Sequence, residues 1–331
     1  MEIPALRKEI VNLINKRGKI TFADFMELAL YHPEHGYYTS GKEKIGKKGD
    51  YYTSSDVHPV FGELIARQLE QMWRLMGKGR FTVVEMGAGK GRFCYDIINF
   101  IKKKFPEFFE EVDYKIVEIS QNLIERQSST LKGLEDKVSW ESLSEDGFSF
   151  EPVIGSFLSN EFVDSLPVHQ VVVENNCLKE IYVAIKDDKF CEVIDDLSDP
   201  ALEDYFAKSK ISLKEGQRAE VNLKALDWVK NISRYLKRGF VITIDYGYLA
   251  EDLYSEQRHR GTLMCYYEHI TSENPYERVG SQDITSHVNF SSLMEAGNRC
   301  GLNTTGFTRQ SKFLIALGIL DEMNKVQGDI G

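Results

Sequence analysis

An α/β fold, with a parallel sheet covered by helices on both faces, is the class predicted for this 331-residue sequence. Three observations carry the prediction. From residue 81 onward, apolar β-branched runs of strand length alternate with amphipathic stretches of helical length. The first run, Phe81 to Met86, leads straight into three glycines at alternate positions, Gly87, Gly89 and Gly91, and then into a helical pattern. Helical patterns precede the alternation and a series of hairpin signals interrupts it, so the sheet carries an N-terminal helical extension and a β-hairpin insertion.

In chain order, residues 3–31 read as two helices. Thr21 stands where it can cap the second, whose apolar residues Phe22, Phe25, Met26, Ala29 and Leu30 fall at helical spacing. His32 and Pro33 end it. Residues 33–56, rich in Gly, Tyr, Lys and Ser, read as a loop. A long amphipathic helix is expected over 59–76. Strands are expected at 81–86, 113–118, 136–140, 153–159 and 239–245, with helices at 90–104, 120–132 and 222–237. Residues 168–221 break the alternation, with hairpin strands turning at Asn175-Asn176 and Asp187-Asp188. Residues 246–289 read as a second polar loop region. A helix near 290–300, a strand near 303–309 and a short helix near 311–320 complete the chain. This divides it into N-terminal helices with a lid loop (1–80) and a sheet domain (81–331) with its insertion at 168–221.

Composition narrows the function. Hydrophobic residues make up 42% and charged residues 28%, as a packed core requires. The five cysteines, Cys94, Cys177, Cys191, Cys265 and Cys300, are odd in number and lack C-x-x-C spacing, which argues against a disulfide framework or zinc site and for a reducing compartment. No apolar run approaches the ~18 residues of a membrane span, and the N-terminus shows no targeting pattern. A bacterial-type cytoplasmic protein is expected. The net charge of −10 disfavours nucleic acid as a partner; the one basic cluster, Lys42 to Lys48, reads as a short glycine-rich loop. His32 and His35 are separated by Pro33 and lack a third ligand, so no metal is expected there.

The glycine turn lets the backbone bend tightly and lets a ligand lie against bare main chain, next to the positive end of the following helix. Two cofactor classes use such a turn. A dinucleotide fold wants G-x-G-x-x-G, but here the third glycine comes one residue early and Arg92 takes its slot. The pattern that begins at Glu85 instead resembles the first motif of methyltransferases that use S-adenosylmethionine (SAM). Glu118, at the end of the next strand, suits either class, because a carboxylate accepts hydrogen bonds from ribose hydroxyls. Ligands of such a sheet bind beyond the carboxyl ends of its strands. Asn160, Glu161 and Asp164 follow the fourth strand there, and Asp245, Tyr246 and Gly247 follow the fifth. Paired carboxylates suit a guanidinium, whose planar fork takes two hydrogen bonds, though each polar residue alone also reads as a cap or surface loop. Two further clusters, 49–58 and 282–290, read either as capped helix entries, with Asp56 or Asn289 as cap, or as lids over the cofactor. Thr53 and Ser54 of the first are assigned to cofactor binding. The tyrosine pairs 37–38, 51–52 and 266–267 read as core or lid packing, or as stacking partners for a cationic sulfonium.

Taken together these segments form an ordered series: 25–38 (FMELALYHPEHGYY), 49–54 (GDYYTS), 57–62 (VHPVFG), 84–91 (VEMGAGKG), 160–167 (NEFVDSLP), 244–247 (IDYG), 260–263 (RGTL) and 283–290 (DITSHVNF). The series resembles the MidA family, methyltransferases related to the mitochondrial complex I assembly factor, from about residue 5 to about 318. The resemblance implies a Rossmann-like SAM methyltransferase that symmetrically dimethylates arginine in a protein, with a respiratory complex I type subunit as one candidate partner. By position, Glu85 and the turn Gly87-Ala88-Gly89 with Gly91 hold the methionine part of SAM, Glu118 its ribose, and Asn160, Glu161 and Asp164 face the substrate. The family usually runs further, into a strand that completes the sheet, so an open sheet edge is expected here. Methylation of a small molecule, a SAM-binding assembly chaperone without turnover, and a nicotinamide-dependent dehydrogenase are the competing readings. The insertion and the loop at 246–289 read as a protein-docking surface, a homodimer contact or simple extensions of the core.

Overall fold

We describe a computed structural model of the chain over residues 3–40, 58–144 and 147–322. The expected loop at 41–57, with Thr53, Ser54, Asp56, Tyr51, Tyr52 and the lysine cluster, lies outside the described residues.

Helix α1 (Pro4–Arg17) starts on a proline, ends on basic residues and stops at Gly18, whose φ is 83°. It buries Leu6, Ile10 and Ile14, one per turn. Strand β1 (Ile20–Thr21) leads into α2 (Phe22–Tyr31), where the Thr21 hydroxyl accepts the Asp24 N–H at 3.0 Å. Helix α3 (Val60–Leu75) then precedes the alternating core.

That core runs β2 (Phe81–Met86), α4 (Arg92–Lys104), β3 (Val112–Val117), α5 (Gln121–Thr130), β4 (Val138–Glu141) and β5 (Val153–Asn160). The insertion follows. Strands β6 (His169–Glu174), β7 (Cys177–Lys186) and β8 (Lys189–Asp195) are joined by two-residue turns at Asn175-Asn176 and Asp187-Asp188, all four with φ between 49° and 60°. Helix α6 (Ala201–Ser209) and strand β9 (Arg218–Val221), both absent from the expected pattern, complete it. The chain returns through α7 (Leu223–Tyr235) to β10 (Leu236–Ile244).

Strands β10-β5-β2-β3-β4 form one parallel sheet in that order. The chain moves outward from β2 to β4, then returns to β5 on the other side of β2. The crevice between β2 and β5 is therefore the switch point at which ligands of such sheets bind. Consecutive residues of β2 point to opposite layers. Val83 packs with Trp73, Ile97 and Ile101 on the α3/α4 side. Val84 packs with Phe157, Trp228 and Ile232 on the α7 side. None of the described helices is long and apolar enough to cross a membrane.

The N-terminal extension packs on the insertion. Strand β1 pairs antiparallel with β7, Ile20 opposite Val183, and Leu6, Ile10, Phe25 and Met26 share a core with Val168, Val183 and Ile284. The expected loop at 246–289 contains a small antiparallel sheet, in which β11 (Met264–Tyr267) lies between β12 (Ile270–Ser272) and β13 (Asp283–Thr285). Helix α8 (Phe290–Arg299) follows, capped by Asn289, whose side chain accepts the Ser292 N–H at 3.2 Å. The strand expected near 303–309 is not formed. Residues 303–309 are exposed and have no regular structure. A β-branched sequence without a partner strand has nowhere to place its backbone hydrogen bonds except water. Among the described residues no strand pairs with the outer edge of β10, and α9 (Gln310–Ala316) packs Phe313 and Leu314 near Ile242 and Ile244.

Candidate functional site

The turn after β2 needs its glycines. Gly87, Gly89 and Gly91 have φ of 67°, 52° and 77°, and a β-carbon on Gly87 would lie 2.8 Å from the Phe162 ring. Gly91 closes the turn with its N–H on the Ala88 carbonyl at 2.8 Å. It opens α4, whose first turn carries no acidic residue, so the free N–H groups and the positive helix end face the crevice without a competing anion.

Glu118 ends β3 beside this turn and is buried. Its Oε1 accepts the N–H groups of Ile119 and Ser120, both at 2.9 Å, and its Oε2 accepts Gln127 Nε2 at 3.0 Å. Burial raises its pKa and these three donors oppose the rise.

Glu85 takes a different place from the other expected cofactor residues. It is 2% exposed in the layer under the turn, and its Oε2 accepts the Tyr114 hydroxyl at 2.8 Å. Burial pushes its carboxyl up to about 7, against the Tyr114 hydrogen bond. In the unfolded chain a glutamate ionises near pH ~4.3. Between those values the folded state therefore holds a proton that the unfolded state has lost, and stability falls as pH rises. A Glu85→Gln variant keeps the hydrogen bond and loses this dependence. Urea unfolding between pH 5 and 8 should show the wild type losing up to about 3 kcal/mol more than the variant. Parallel curves would contradict the assignment.

The other side of the crevice is built after β5. Asn160 is its last residue, and its side-chain oxygen is buried with no hydrogen-bond partner among the described residues. Glu161 follows in the left-handed region at φ 49°, a conformation that costs an ordinary residue ~1 kcal/mol or more and is typically kept where function needs it. Its N–H is tied to the Ile244 carbonyl at 2.9 Å. A single 3-10 turn, Val163–Ser165, then presents Asp164. Asp245, at the end of β10, caps this turn. Its Oδ2 accepts the N–H groups of Phe162, Val163 and Asp164 at 3.2, 2.8 and 3.3 Å, and its Oδ1 accepts that of Tyr246 at 2.8 Å.

A third segment joins them. Ser286 N–H donates to the Asp164 carbonyl at 2.9 Å, and Asp283 on β13 lies in the same field of charge. Burial raises the Asp164 carboxyl well above the usual range, and Asp245, Asp283 and Glu161 push it further. Burial holds Asp245 at about 7 despite its four backbone donors. Tyr246 rises to about 12 through burial, then Glu161 and Asp164. Glu161, Asp245 and Asp283 thus each oppose ionisation of Asp164, and a cation placed among them favours its charged form.

The N-terminal extension closes this end. Tyr31 donates to the Ser165 carbonyl at 3.1 Å, and Tyr38 donates to Asp283 Oδ1 at 2.7 Å. The two rings stack with centroids 5.3 Å apart. The same segment reaches the cofactor side, where Asn122 Nδ2 donates to the Thr39 carbonyl at 3.0 Å. Of the expected residues the structure brings Asn160, Glu161 and Asp164 together at the switch point, with the glycine turn and Glu118 across the crevice. Tyr31, Tyr38 and Asp283 stand in the sequence only as members of longer motifs or clusters, with no role of their own. No local spacing shows that α2 folds back over the sheet. His32 is engaged by Glu9 at 2.8 Å and stacks on His35, a structural arrangement.

Residues 64–308 match a family model of S-adenosyl-L-methionine-dependent methyltransferases. The chain is 29% identical to the rat "Protein arginine methyltransferase NDUFAF7, mitochondrial", over 96% of this chain and 74% of that protein. It is 28% identical to the human protein of the same name, again over 96% and 74%. Among solved structures, it is similar to a Burkholderia thailandensis protein bound to S-adenosyl-homocysteine. The TM-score is 0.88 and the identity 31%, covering 97% of this chain and 82% of that one.

Proposed function

The chain belongs to the S-adenosyl-L-methionine-dependent methyltransferase family, and on that premise we propose that it methylates an arginine side chain of a protein. SAM is the cofactor, and the cradle fits it: a turn with glycine at alternate positions, a helix N-terminus and an acid positioned for ribose hydroxyls. The observation that carries the proposal is the convergence of Glu161, Asp164, Asp245 and Asp283 across the crevice from that cradle. A guanidinium is permanently charged and planar, and its forked N–H groups suit paired carboxylates. The rat and human relatives are named protein arginine methyltransferases, which supports the same reading.

SAM supplies an activated methyl group on a sulfonium. A guanidino nitrogen forms the new N–C bond as the C–S bond breaks, S-adenosylhomocysteine leaves, and the nitrogen releases one proton. Glu161 and Asp164 hold the guanidinium by charge-assisted hydrogen bonds and aim one nitrogen at the methyl carbon, so orientation accounts for much of the rate. Asp245 keeps the Asp164 turn in place. Asp164, whose pKa burial raises and which the guanidinium favours in its charged form, accepts the released proton. The Tyr31–Tyr38 stack and Tyr246 exclude water and present aromatic surface to the cation. We assign the product as symmetric dimethylarginine, with a respiratory complex I type subunit as the proposed target. The test is transfer of labelled methyl groups from SAM to the protein fraction of cells lacking this gene, followed by hydrolysis and separation of the methylated amino acids. Label in symmetric dimethylarginine is expected. Label in lysine, in carboxyl esters or only in small molecules contradicts the proposal.

A further inference from the structure

Residues 260–263 (RGTL) belong to the motif series of the sequence, yet no step above uses them. They lead into β11, and residues 286–288 leave β13. The two strands pair with Met264 opposite Thr285 and Tyr266 opposite Asp283. Continued by two residues, this register sets Thr262 opposite His287. There a side chain takes the hydrogen bond: the His287 N–H donates to the Thr262 hydroxyl at 3.0 Å. The same hydroxyl donates to Glu220 Oε2 at 3.0 Å, and the Thr262 N–H donates to that oxygen at 2.8 Å. A hydroxyl has one proton to give. Glu220 takes it, so the lone pairs of the hydroxyl are left to face His287.

Glu220 is a buried carboxylate on β9, the last strand of the insertion. Gly261 makes room for it: at φ 82°, its missing β-carbon would collide with the Glu220 carboxylate. From His287 the acid side of the crevice is one residue away in either direction. Ser286 N–H donates to the Asp164 carbonyl at 2.9 Å, and Val288 N–H donates to the Tyr246 carbonyl, next to Asp245, at 2.8 Å. The connector 286–288 therefore grips the segments that carry two of the acids, and Asp283 lies on the strand before it. A buried carboxylate of the insertion holds that connector through one hydroxyl.

We propose that Thr262 is a positioning residue of the acid site: its hydroxyl, oriented by Glu220, sets the connector that aligns Asp164, Asp245 and Asp283 on the substrate cation. This rests on the reading of the acid cluster as the arginine site. The test is labelled-methyl transfer from SAM, at varied concentration, into the protein fraction of cells lacking this gene. Wild type is compared with Thr262→Val, Thr262→Ser and Tyr182→Phe. Valine keeps the shape of threonine and removes the hydroxyl. In Thr262→Val the rate of arginine labelling at saturating SAM should fall about 10-fold or more, the scale of a lost hydrogen bond to a charged group. Its KM for SAM should stay within about 3-fold, because the cradle lies across the crevice. Thr262→Ser keeps the hydroxyl and should recover the rate to within about 3-fold of wild type. Tyr182→Phe removes another hydrogen bond of the insertion, from the Tyr182 hydroxyl to the Asp196 carbonyl at 2.7 Å. It should leave the rate within about 3-fold. Amide exchange, which needs no substrate, should show the Ser286 N–H at least about 10-fold less protected in Thr262→Val and restored in Thr262→Ser. A merely structural hydroxyl would lower the unfolding midpoint and leave both the rate of the folded protein and the Ser286 exchange unchanged, which would overturn the proposal. So would Thr262→Ser or Tyr182→Phe as slow as Thr262→Val. Wild type that labels no arginine overturns the reading of the site, and the proposal with it; wild type that labels while Thr262→Val keeps its rate overturns only the proposal.

Discussion

Replacing Gly155 with alanine is expected to prevent folding or to cost about 4 kcal/mol or more, the range reserved for broken backbone or core geometry. Gly155 lies inside β5, between β2 and β10. A β-carbon there would fall 1.9 Å from the Thr82 carbonyl oxygen and 2.6 Å from its nitrogen, both backbone atoms of a central strand. No rotamer change relieves such a clash; the strands would have to part. The neighbour across the ladder repeats the constraint, since Gly239 pairs with Gly155 and its own β-carbon would sit 1.8 Å from the Gly155 carbonyl oxygen. The pair lies beside the register shift between Leu236 and Arg238, where β10 joins the sheet. Chemical unfolding of Gly155→Ala, with Gly133→Ala as an exposed-turn comparison, checks this. Wild-type stability in Gly155→Ala would show that the close approach of the strands is wrong.

Gly87→Ala is expected to fold and to bind S-adenosylhomocysteine at least about 100-fold more weakly. The added carbon meets Phe162, whose ring is held against Trp228 with centroids 5.6 Å apart, and the residue would be held at φ 67°. Strain of ~1–3 kcal/mol at such a position, together with a displaced ring, opens the turn that must lie against the cofactor. Phe162 stands between Glu161 and Asp164, so the same change should disturb the acid side of the crevice. Calorimetry reports the affinity and circular dichroism the fold. Undiminished binding would mean that the cofactor does not depend on this turn.

Much of the fold was legible because the physics that builds it is local. Phe81 to Met86 and Val153 to Leu158 are apolar runs that suit central strands of a covered sheet, and paired Asn or Asp residues are among the few that accept the left-handed turns at 175–176 and 187–188. Asn160, Glu161 and Asp164 could be placed at the crevice because they directly follow such a run. What was illegible depends on partners distant in sequence. The stretch containing α6 looks polar, and only burial of Leu202, Tyr205 and Phe206 against Val171, Ala219 and Leu253 makes it a helix worth forming. The stretch at 303–309 has strand-like residues but no partner. Asp283 reaches Asp164 through a small sheet whose strands are three to four residues long, too short for any periodicity to register. Glu85 fits a cofactor motif in sequence, yet the alternation of β2 turns its side chain into the layer beneath the turn.

The central claim is that the acid cluster holds a substrate guanidinium beside SAM. Its most direct test is labelled-methyl transfer into protein arginine by wild type and by Asp164→Asn, with S-adenosylhomocysteine affinity measured on the same samples. Asp164→Asn keeps the volume and the backbone turn that Asp245 caps, and removes one charge. The account predicts cofactor affinity within about 3-fold of wild type and arginine labelling about 100-fold slower, as befits the loss of a charge-assisted contact and of a proton acceptor. Equal labelling by both proteins would contradict it.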